Sequence, residues 1–549
     1  MKRTIVWFTT DLRLLDNETL YQAISESDEV IPIYCIDESH FTTTQFGFKK
    51  IGKHRKKFLK ESIIDLDHNL RTKGSGLLVV YGNPEEELLK IAEKYKAQKI
   101  YTKKQVGYEE IATQKKVAKA VEKLSCVLEV YETANLYKTQ DLPFEIKQIP
   151  DVFTDFKIQV ERKAKIRAVY PEPINISSPP IEKINLSFLF DLEDSNFLFD
   201  SRAAIKYNGG ETTGKKRLNV YLNETHSIAS YKNTRNGLIG ENYSSKFSAW
   251  LAMGCLSPVV IYHEIKKYEK TNCANESTYW LVFELLWRDY FVFMMQKYPY
   301  QYFIINGIKK SQIIVNQHEV KVFQSWCNSQ TTNDFINANM NELNQTGFMS
   351  NRGRQNVASY LCHDLKLDWR YGAAYFEKQL IDYDVSSNWC NWAYIAGVGN
   401  NPRGASVFNI EKQTNEYDKN GLYRKLWLSY KKNKIKLMLE NKIDQFKNSK
   451  QEVEKKITAS SFFNEQDKDR IIQMAWEDRT PFEAIEFQFG LKEKDVIDFM
   501  RNHSLPSSFR MWRKRMNSRT TKHSALRSKT ILRFKCSRQR NTGNKIAKR

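Results

Sequence analysis

Short apolar runs alternate with amphipathic stretches over the first 131 residues of the chain. Five compact runs rich in β-branched and aromatic residues predict strands: TIVWF, VIPIYCID, LLVVYG, KIYTK and VLEVYE. The stretches between them predict helices: NETLYQAISE, HRKKFLKESIIDLDHNL, PEEELLKIAEKYK and YEEIATQKKVAKAVEKL. Strands that alternate with helices are typical of a doubly wound parallel sheet. The pattern therefore predicts an α/β domain over residues 1–132.

The periodicity changes after this domain. Residues 133–210 carry little pattern and include YPEPINISSPP, which predicts a connector between domains. Long helical patterns rich in aromatic residues fill 211–430 and predict a large all-α domain. A lysine-rich stretch, 431–460, predicts a charged linker. Within 461–516 the pattern predicts a small three-helix domain, which fits either a DNA-binding helix-turn-helix or plain helix packing.

Charge separates the end of the chain from the rest. The net charge is +22, yet no acidic residue follows Asp498, while 16 Lys and Arg lie between Arg501 and Arg549. Residues 517–549 therefore predict a basic, disordered tail, which either binds nucleic acid or is solvated without a specific partner. The first residues do not resemble a signal peptide, no apolar stretch is long enough to span a membrane, and the eight cysteines are scattered. We expect a cytoplasmic protein without a membrane span or a metal site.

The stretch LIDYDVSSNWCNWAY, residues 380–394, combines paired acids with recurring aromatic residues. Three interpretations of Asp382 and Asp384 stay open: a metal-binding pair, helix caps before an aromatic core, and one wall of a cofactor pocket. A metal site usually needs further carboxylates, and tryptophans surround this pair instead. Apolar walls with a few polar groups suit a planar cofactor.

Other segments place polar groups among apolar ones. NYSSKFS, residues 242–248, puts hydroxyls and a lysine before a predicted helix, which favours either an anion site or a simple cap. In YWLVFELLWRDYFVFMM, Glu284 and Arg288 are four apart and share a helix face, so a buried ion pair is one interpretation. GFMSNRGRQN, residues 347–356, adds further amides and arginines in aromatic surroundings.

With these segments, the chain resembles the photolyase/cryptochrome flavoproteins, and within them the DASH-type cryptochromes. The resemblance rests on VWFTTDLRLLDNETL, LPFEIKQIPDVFTDF, GGETTGKKRL, YKNTRNGLIGENYSSKFSAWLAMGCLSP, STYWLVFELLWRDYF, NQTGFMSNRGRQ, LKLDWRYGAAYFEKQLIDYDVSSNWCNWAYIAGVGNNPR and YRKLWL. It covers about residues 1–430 and implies an α/β antenna domain followed by a helical domain that encloses FAD. FNEQDKDRIIQMAWEDRTPFEAIEFQFGLKEKDV, from within residues 460–549, looks instead like a small bacterial domain of unknown function.

The resemblance implies which residues hold FAD. They are Tyr231, Ser244, Ser245, Lys246, Phe247, Ser248, Arg288, Arg354, Asp382, Asp384 and Asn388. Tyr231 and 244–248 correspond to the surroundings of the FAD phosphates, and Arg354 to the partner of Asp382 beside the isoalloxazine. Asn388 corresponds to the residue that faces flavin N5. Trp392 and Trp369 correspond to the inner two tryptophans of an electron relay.

The resemblance also implies a pocket for a DNA lesion. Its residues are Glu284, Trp287, Asn351, Gln355, Tyr394 and Arg403. Trp287 and Tyr394 would stack on a flipped-out pyrimidine dimer, and Glu284 would hydrogen-bond the dimer and stabilise its radical anion. The catalytic set implied is Glu284, Asn388, Trp392 and Trp369.

The implied activity is blue-light-driven repair of cyclobutane pyrimidine dimers, that of a deoxyribodipyrimidine photolyase. Excited reduced FAD donates an electron to the dimer, the ring splits and the electron returns. The resemblance also implies a preference for single-stranded DNA, and we expect a monomer. One alternative is a blue-light photoreceptor that uses the same FAD and signals through the C-terminal extension. Another is a nucleic-acid-binding protein in which the basic tail dominates.

The relay departs from the family pattern. Its outer tryptophan is expected about ten residues before Trp326, where Val315 and Asn316 stand. Photoreduction from the surface is therefore expected to be slow or to use another aromatic residue, such as a tyrosine near Tyr300–Tyr302.

The antenna site departs as well. Val106 stands where many relatives place an acid, although Glu109 is near. A folate antenna, methenyltetrahydrofolate, is therefore an open prediction.

Overall fold

The structure, a computed structural model, describes residues 1–184, 186, 199–309, 319–428, 463, 465–478, 480–517 and 519–523. The chain divides into two compact units, Met1–Ile435 and Lys436–Arg549. The predicted linker, 431–460, and residues 524–549 of the predicted tail lie outside the described residues. The domain limits drawn from the sequence stay predictions.

The first unit begins with a parallel five-stranded sheet in the order β3-β2-β1-β4-β5. The strands are β1 Arg3–Phe8, β2 Glu29–Asp37, β3 Leu78–Gly82, β4 Lys99–Lys103 and β5 Val127–Tyr131. Four helices connect them: α1 Glu18–Glu26, α2 Lys53–Thr72, α3 Pro84–Tyr95 and α4 Tyr108–Glu122. This confirms the predicted α/β fold. All five predicted strands and all four predicted helices of the segment form.

Successive residues of β1 enter two different cores, because side chains alternate across a strand. Val6 and Phe8 join the large core that continues into the helical region, whereas Ile5 and Trp7 pack with α3 and α4. The strand order reverses between β1 and β4, and ligands of such sheets bind outside the carboxyl ends of the strands at this point.

The rest of the unit is helical, as predicted. Its helices are α5 Phe153–Lys163, α6 Glu211–Asn219, α7 Tyr231–Thr234, α8 Ser248–Ala252, α9 Pro258–Thr271, α10 Glu276–Lys297, α11 Val320–Cys327, α12 Asp334–Thr346, α13 Asn351–Ser359, α14 Trp369–Gln379, α15 Val385–Ala396, α16 Ile410–Tyr417 and α17 Leu422–Leu428. Helix α5 and short 3₁₀ turns lie in the stretch predicted as a connector. None of the helices in the described ranges is long and apolar enough to cross a membrane.

The described part of the second unit contains four helices where three were predicted. They are α18 Glu465–Trp476, α19 Phe482–Phe489, α20 Glu493–His503 and α21 Pro506–Met516. The fourth starts at Pro506 and buries Trp512 and Met516 in the unit's own core. It was not predicted because four Arg and Lys are interspersed with its four apolar residues and obscure the helical period.

Candidate functional site

A cleft of about 440 Å³ lies in the helical region, between α10, α13, α15 and the segment that leads into α8. A smaller cavity of about 100 Å³ shares Arg354, Asp382 and Asp384 with it and reaches α14. Volumes of several hundred Å³ are typical of cofactor sites. The stretch 380–394 thus forms one wall of a cleft.

Asp382 is held by an arginine from another helix. Arg354 Nη2 donates to both carboxylate oxygens of Asp382, at 2.9 and 2.7 Å, and Arg354 Nε donates to Met349 O at 2.9 Å. The Asp382 carboxylate is nearly inaccessible, with 1% of its side chain exposed, whereas 25% of Arg354 is exposed toward the cleft. A buried carboxylate needs such a partner to stay charged.

Asp384 is both a helix cap and a cleft residue. Its Oδ1 accepts from Ser387 N and Ser386 Oγ, each at 2.7 Å, at the start of α15. Burial alone would raise the pKa of Asp384, but Arg288 and these hydrogen bonds outweigh it and hold the pKa below its ordinary value. Capping and cofactor binding are therefore compatible interpretations of this residue.

Asn388 and Trp392 lie one and two turns further along α15 and line the smaller cavity. Asn388 Nδ2 donates to Ala373 O at 3.0 Å, which fixes its amide against α14. Trp392 packs over Gly372, where a Cβ atom would overlap its six-membered ring. Both side chains are held by the contact between α14 and α15.

The residues predicted to surround the cofactor phosphates divide into two groups. Tyr231, Ser245, Phe247 and Ser248 line the larger cavity. Lys246 does not: its Nζ is buried, lies 3.1 Å from the centre of the Tyr243 ring and has no hydrogen-bond partner within the described residues.

Ser244 is absent from the residues that line the two described cavities of the cleft. Its carbonyl accepts from Arg217 Nη2 at 3.4 Å, and Arg217 Nε donates to Ser245 O at 3.0 Å. Arg217 thus binds two carbonyl groups of the loop that precedes α8.

Glu284 faces the larger cavity but does not pair with Arg288, its neighbour four residues on. Arg235 Nη1 donates to Glu284 Oε1 at 2.7 Å, and Trp280 Nε1 donates to the same oxygen at 3.1 Å. Arg288 instead donates to Ala134 O at 2.6 Å. Burial raises the pKa of Glu284, and Arg235 opposes that rise. The ion pair considered from the sequence is therefore wrong, and Arg235 is a cleft residue that the sequence did not reveal.

Two other aromatic side chains pack against the ring of Trp287. Phe153 of α5 stacks on it with centroids 3.7 Å apart and planes 13° apart. Tyr394 approaches it edge-on at 6.3 Å. One face of Trp287 is thereby covered from the predicted connector, a contact that only the tertiary fold could reveal.

Two further residues predicted for a lesion pocket lie at the same cleft. Asn351 and Gln355 line it from α13, and Gln355 Oε1 is buried without a hydrogen-bond partner among the described residues. Arg403 is exposed, and its charge lowers the pKa of Tyr394, although burial raises that pKa more.

The tryptophans predicted for the electron relay belong to α14 and α15. The ring neighbours of Trp392 are Phe376, at 5.1 Å, and Trp326, at 6.2 Å. Trp369 is buried, contacts Trp389 at 6.0 Å and donates to Ile305 O. Val315 and Asn316 lie outside the described residues.

Tyr300 and Tyr302 differ in exposure. Tyr302 is buried and donates to Asn400, whereas Tyr300 is 54% exposed and contacts the ring of Tyr108 at 5.8 Å. Of the two, only Tyr300 faces solvent.

A second cavity of about 190 Å³ lies at the carboxyl ends of β1, β2 and β4, at the reversal of strand order. Val106 lines it, as do Glu109, which pairs with Lys50, and Lys103. Burial lowers the pKa of Lys103 to about 8, although nearby acids including Asp384 oppose the shift. Because Asp384 lines both cavities, the two sites are adjacent.

The donor set of the cleft fits FAD. Carboxylates and amides surround one end, serine hydroxyls at the start of α8 surround the other, and aromatic rings form the walls. The orphaned Gln355 Oε1 can accept a hydrogen bond from such a ligand.

Three family profiles match the chain. DNA photolyase matches residues 4–175, and the FAD binding domain of DNA photolyase matches 280–476. A protein family of unknown function, DUF2805, matches 469–539. The helical region thus contains a recognised FAD-binding domain.

Known proteins resemble the chain over most of its length. It is 43% identical to a cryptochrome DASH of Synechocystis over 430 residues, 78% of this chain and 88% of that protein. It is 44% identical to a cryptochrome DASH of Xenopus laevis over 423 residues, 76% of this chain and 81% of that protein. The crystal structure of a Synechocystis cryptochrome, 43% identical, superimposes with a TM-score of 0.75 over 79% of this chain and 90% of its own.

Identity at this level over more than three quarters of the chain is accompanied by the same fold and by the matching FAD-binding domain. The chain belongs to the photolyase/cryptochrome family, and within it to the DASH cryptochromes.

Proposed function

We propose that this protein repairs cyclobutane pyrimidine dimers in DNA with blue light, as a deoxyribodipyrimidine photolyase that holds FAD in the described cleft. The observation that carries the proposal is the composition of one cavity. Glu284, Trp287, Asn351, Gln355 and Tyr394, the residues implied for the lesion, line the same cavity as Arg354 and Asp384, implied for FAD. A lesion bound there would be next to the cofactor.

Bound FAD, in its reduced and photoexcited form, supplies the electron that opens the dimer and takes it back. The Arg354–Asp382 pair fixes charge at the flavin end of the cleft, and its carboxylate is set before the cofactor binds. Asn388, held by Ala373 O, is oriented in the same way. Trp392 and Trp369 are the proposed carriers of electrons toward the site, with Tyr300 as the proposed outer donor.

On the DNA side, Glu284 is proposed to hydrogen-bond the dimer. Arg235 and Trp280 hold its carboxyl group at the cavity wall. Trp287 offers one ring face, since Phe153 covers the other, and Tyr394 stands edge-on beside it. A flipped-out dimer would stack on these rings, while Arg403 at the exposed rim would contact phosphate.

We propose single-stranded DNA as the preferred substrate and a monomer as the active form. Extracting a lesion from a duplex costs unpairing and unstacking energy of a few kcal/mol, which a single strand does not require. The basic tail is proposed to add contacts to nucleic acid, and the cytoplasm is the proposed location.

The cavity at the carboxyl ends of the strands is the proposed antenna site. Glu109 of this cavity pairs with Lys50, and the half-buried Glu110 also lines the cavity, together with Val106. Methenyltetrahydrofolate is the proposed pigment. Acid extraction of the purified protein, followed by fluorescence chromatography, identifies what is bound.

Irradiated oligothymidylate, single-stranded or annealed to oligodeoxyadenylate, tests the repair proposal. We expect blue light to restore the thymine absorbance of the single strand faster than that of the duplex, with a dark sample as control. Absence of light-dependent repair on both substrates would reject the enzyme. A purified protein without a flavin spectrum would reject the cofactor.

The alternative is a blue-light photoreceptor that signals through the C-terminal extension. The observation that favours it is the separate core of the second unit, which includes Ile471, Phe482, Val496 and Trp512. Limited proteolysis in darkness and in blue light distinguishes the two. Light-dependent cleavage of 431–460 without repair activity would favour the photoreceptor.

A further inference from the structure

The C-terminal unit has a charge asymmetry that the cleft does not explain. Every carboxylate in its described part lies between Glu465 and Asp498. Residues 499–523 contain none, and their cations are Arg501, Arg510, Arg513, Lys514, Arg515, Arg519 and Lys522. Most of these belong to helix α21 or follow it directly. In the described part of the unit, the segment with cations and no acids therefore centres on one helix.

The orientation of α21 is fixed by contacts with the end of α18. Trp512 Nε1 donates to Ala475 O at 2.9 Å, and the buried Lys522 Nζ donates to Met474 O and Ala475 O at 3.1 and 2.9 Å. These carbonyls belong to the last turn of α18, which has no intrahelical donors for them. Because Trp512 and Met516 face inward, the opposite side of α21 faces solvent.

That opposite side is a continuous strip. Ser507, Arg510, Met511, Lys514 and Arg515 are exposed, and their spacing places them on one helix face. Arg513 lies beside this strip. We call the strip together with Arg513 the α21 basic face; its cations of interest are Arg510, Arg513 and Lys514.

The cations of this region differ in their partners. Asp478 pairs with Arg515 at 2.7 Å and with Arg519 at 3.0 Å, so its negative charge compensates positive charge at the end of the helix. Arg510, Arg513 and Lys514 have no ion pair or hydrogen bond from their side chains to another described residue of the protein. Three uncompensated cations on a fixed helix attract an anionic polymer.

Helix α20 offers a contrasting surface. It follows α19 and Gly490, whose φ of +74° makes the turn, and so occupies the place of a recognition helix in a helix-turn-helix. Its acids outnumber its bases: Glu493, Asp495 and Asp498 stand against Lys494 and Arg501, and Arg501 pairs with Asp498 at 2.8 Å. A helix with this charge gives little attraction to phosphates.

We propose that the C-terminal unit binds nucleic acid on the α21 basic face, through contacts to the phosphate backbone, and not through α20. The proposal deepens the proposed contact of the C-terminal segment with nucleic acid, on which it rests, and locates part of that contact in folded structure. Guanidinium and ammonium groups that touch only phosphates bind without regard to base sequence.

The test uses the full-length protein in darkness and an undamaged, fluorescent oligodeoxyadenylate, which contains no pyrimidine dimer. Anisotropy titrations at several salt concentrations compare Arg510→Ala/Lys514→Ala with the matched pair Lys492→Ala/Lys494→Ala at the start of α20. We expect the first variant to bind roughly tenfold more weakly at low salt and to lower the salt slope by about 1.4, as two lost phosphate contacts to a single strand require. The second variant should behave as wild type.

Unchanged affinity and slope for Arg510→Ala/Lys514→Ala would overturn the inference, as would an equal loss in the α20 variant. A chain that ends at His523 separates the tail from the folded unit. If only this truncation weakens binding, the α21 inference is wrong while the tail proposal stands. If no variant weakens binding, the proposed contact of the whole C-terminal segment with nucleic acid is wrong. Melting curves check that each variant stays folded.

Discussion

At the scale of single residues, the cleft is built from charges whose partners come from distant segments. Arg354 meets Asp382 from 28 positions earlier, and Arg235 meets Glu284 from 49 positions earlier. A buried charge that loses its partner is strongly destabilised. Each pair therefore fixes a carboxyl group of the cleft in one orientation before any ligand binds.

Glu284 gives the first prediction. Glu284→Ala should lower the rate of dimer repair about tenfold, since a hydrogen bond to a charged group is worth about 1.5–3 kcal/mol, while binding of undamaged DNA stays near wild type. Repair of irradiated oligothymidylate and binding titrations measure the two effects. Glu276→Ala, at the exposed start of the same helix, is the control. Equal repair by both variants would exclude a role for Glu284 in the reaction.

Asp289 gives a prediction on pH. Burial raises the pKa of Asp289 from 3.8 to about 7, although Arg288 and the Tyr137 amide oppose the shift. Between these values the folded protein keeps a proton that the unfolded chain releases, so the free energy of unfolding falls as pH rises through this window. Asp289→Asn removes this contribution.

The measurement is urea unfolding of wild type and Asp289→Asn at pH 5 and pH 8. Between pH 5 and pH 8, the free energy of unfolding of the variant should rise relative to that of wild type by roughly 2–3 kcal/mol, because one pKa unit corresponds to about 1.36 kcal/mol. Glu342 and Glu377, whose pKa burial also raises to about 7, affect both proteins alike. A difference that does not change with pH would show that Asp289 is ionised throughout.

At the scale of elements, the contact of α14 with α15 decides the geometry of the flavin end. Asn388 donates to Ala373 O, and Trp392 packs on the bare backbone at Gly372. The loop between the helices carries Asp382 and Asp384. One helix pair thus positions the proposed acids, amide and first relay ring together.

Gly372→Ala tests this contact. Alanine in place of a helical glycine normally stabilises by up to about 1 kcal/mol, but here the added methyl group overlaps the Trp392 ring. We expect a lower melting temperature and slower photoreduction of the bound flavin, followed by absorbance under blue light. Trp392→Phe is the comparison, since it removes the indole without the overlap. A more stable Gly372→Ala variant with normal photoreduction would show that Trp392 has room to move.

At the scale of the whole molecule, the two compact units have separate cores. All the described residues that line the cleft and the second cavity belong to the first unit. A chain that ends at Ile435 should therefore keep its flavin spectrum and its repair of dimers. It should lose part of the salt dependence of DNA binding, since most of the excess positive charge lies beyond that point.

Absorbance, the repair assay and a salt titration of the truncated chain measure these effects beside the full-length protein. Loss of flavin on truncation would contradict the independence of the first unit. An unchanged salt slope would show that the C-terminal charge makes no contact with DNA.

Sequence periodicity was sufficient for the fold class. Strands such as TIVWF and helices such as PEEELLKIAEKYK were predicted correctly because each has a period and a boundary signal that act over a few residues. The same local signals predicted Asp384 as a cap. Helix α21 was not predicted, because four Arg and Lys lie among the few residues that face the core.

What the sequence by itself determined is thus the fold class and most of the elements, the resemblance that marks the cleft residues, and the excess charge at the end of the chain. Only the tertiary structure decided the partners. It paired Glu284 with Arg235 in place of Arg288, covered Trp287 with Phe153, and turned Lys246 toward Tyr243. Helical spacing brings neighbours into reach, but packing between distant segments decides which charge each group meets, because desolvation must be compensated wherever the fold buries it.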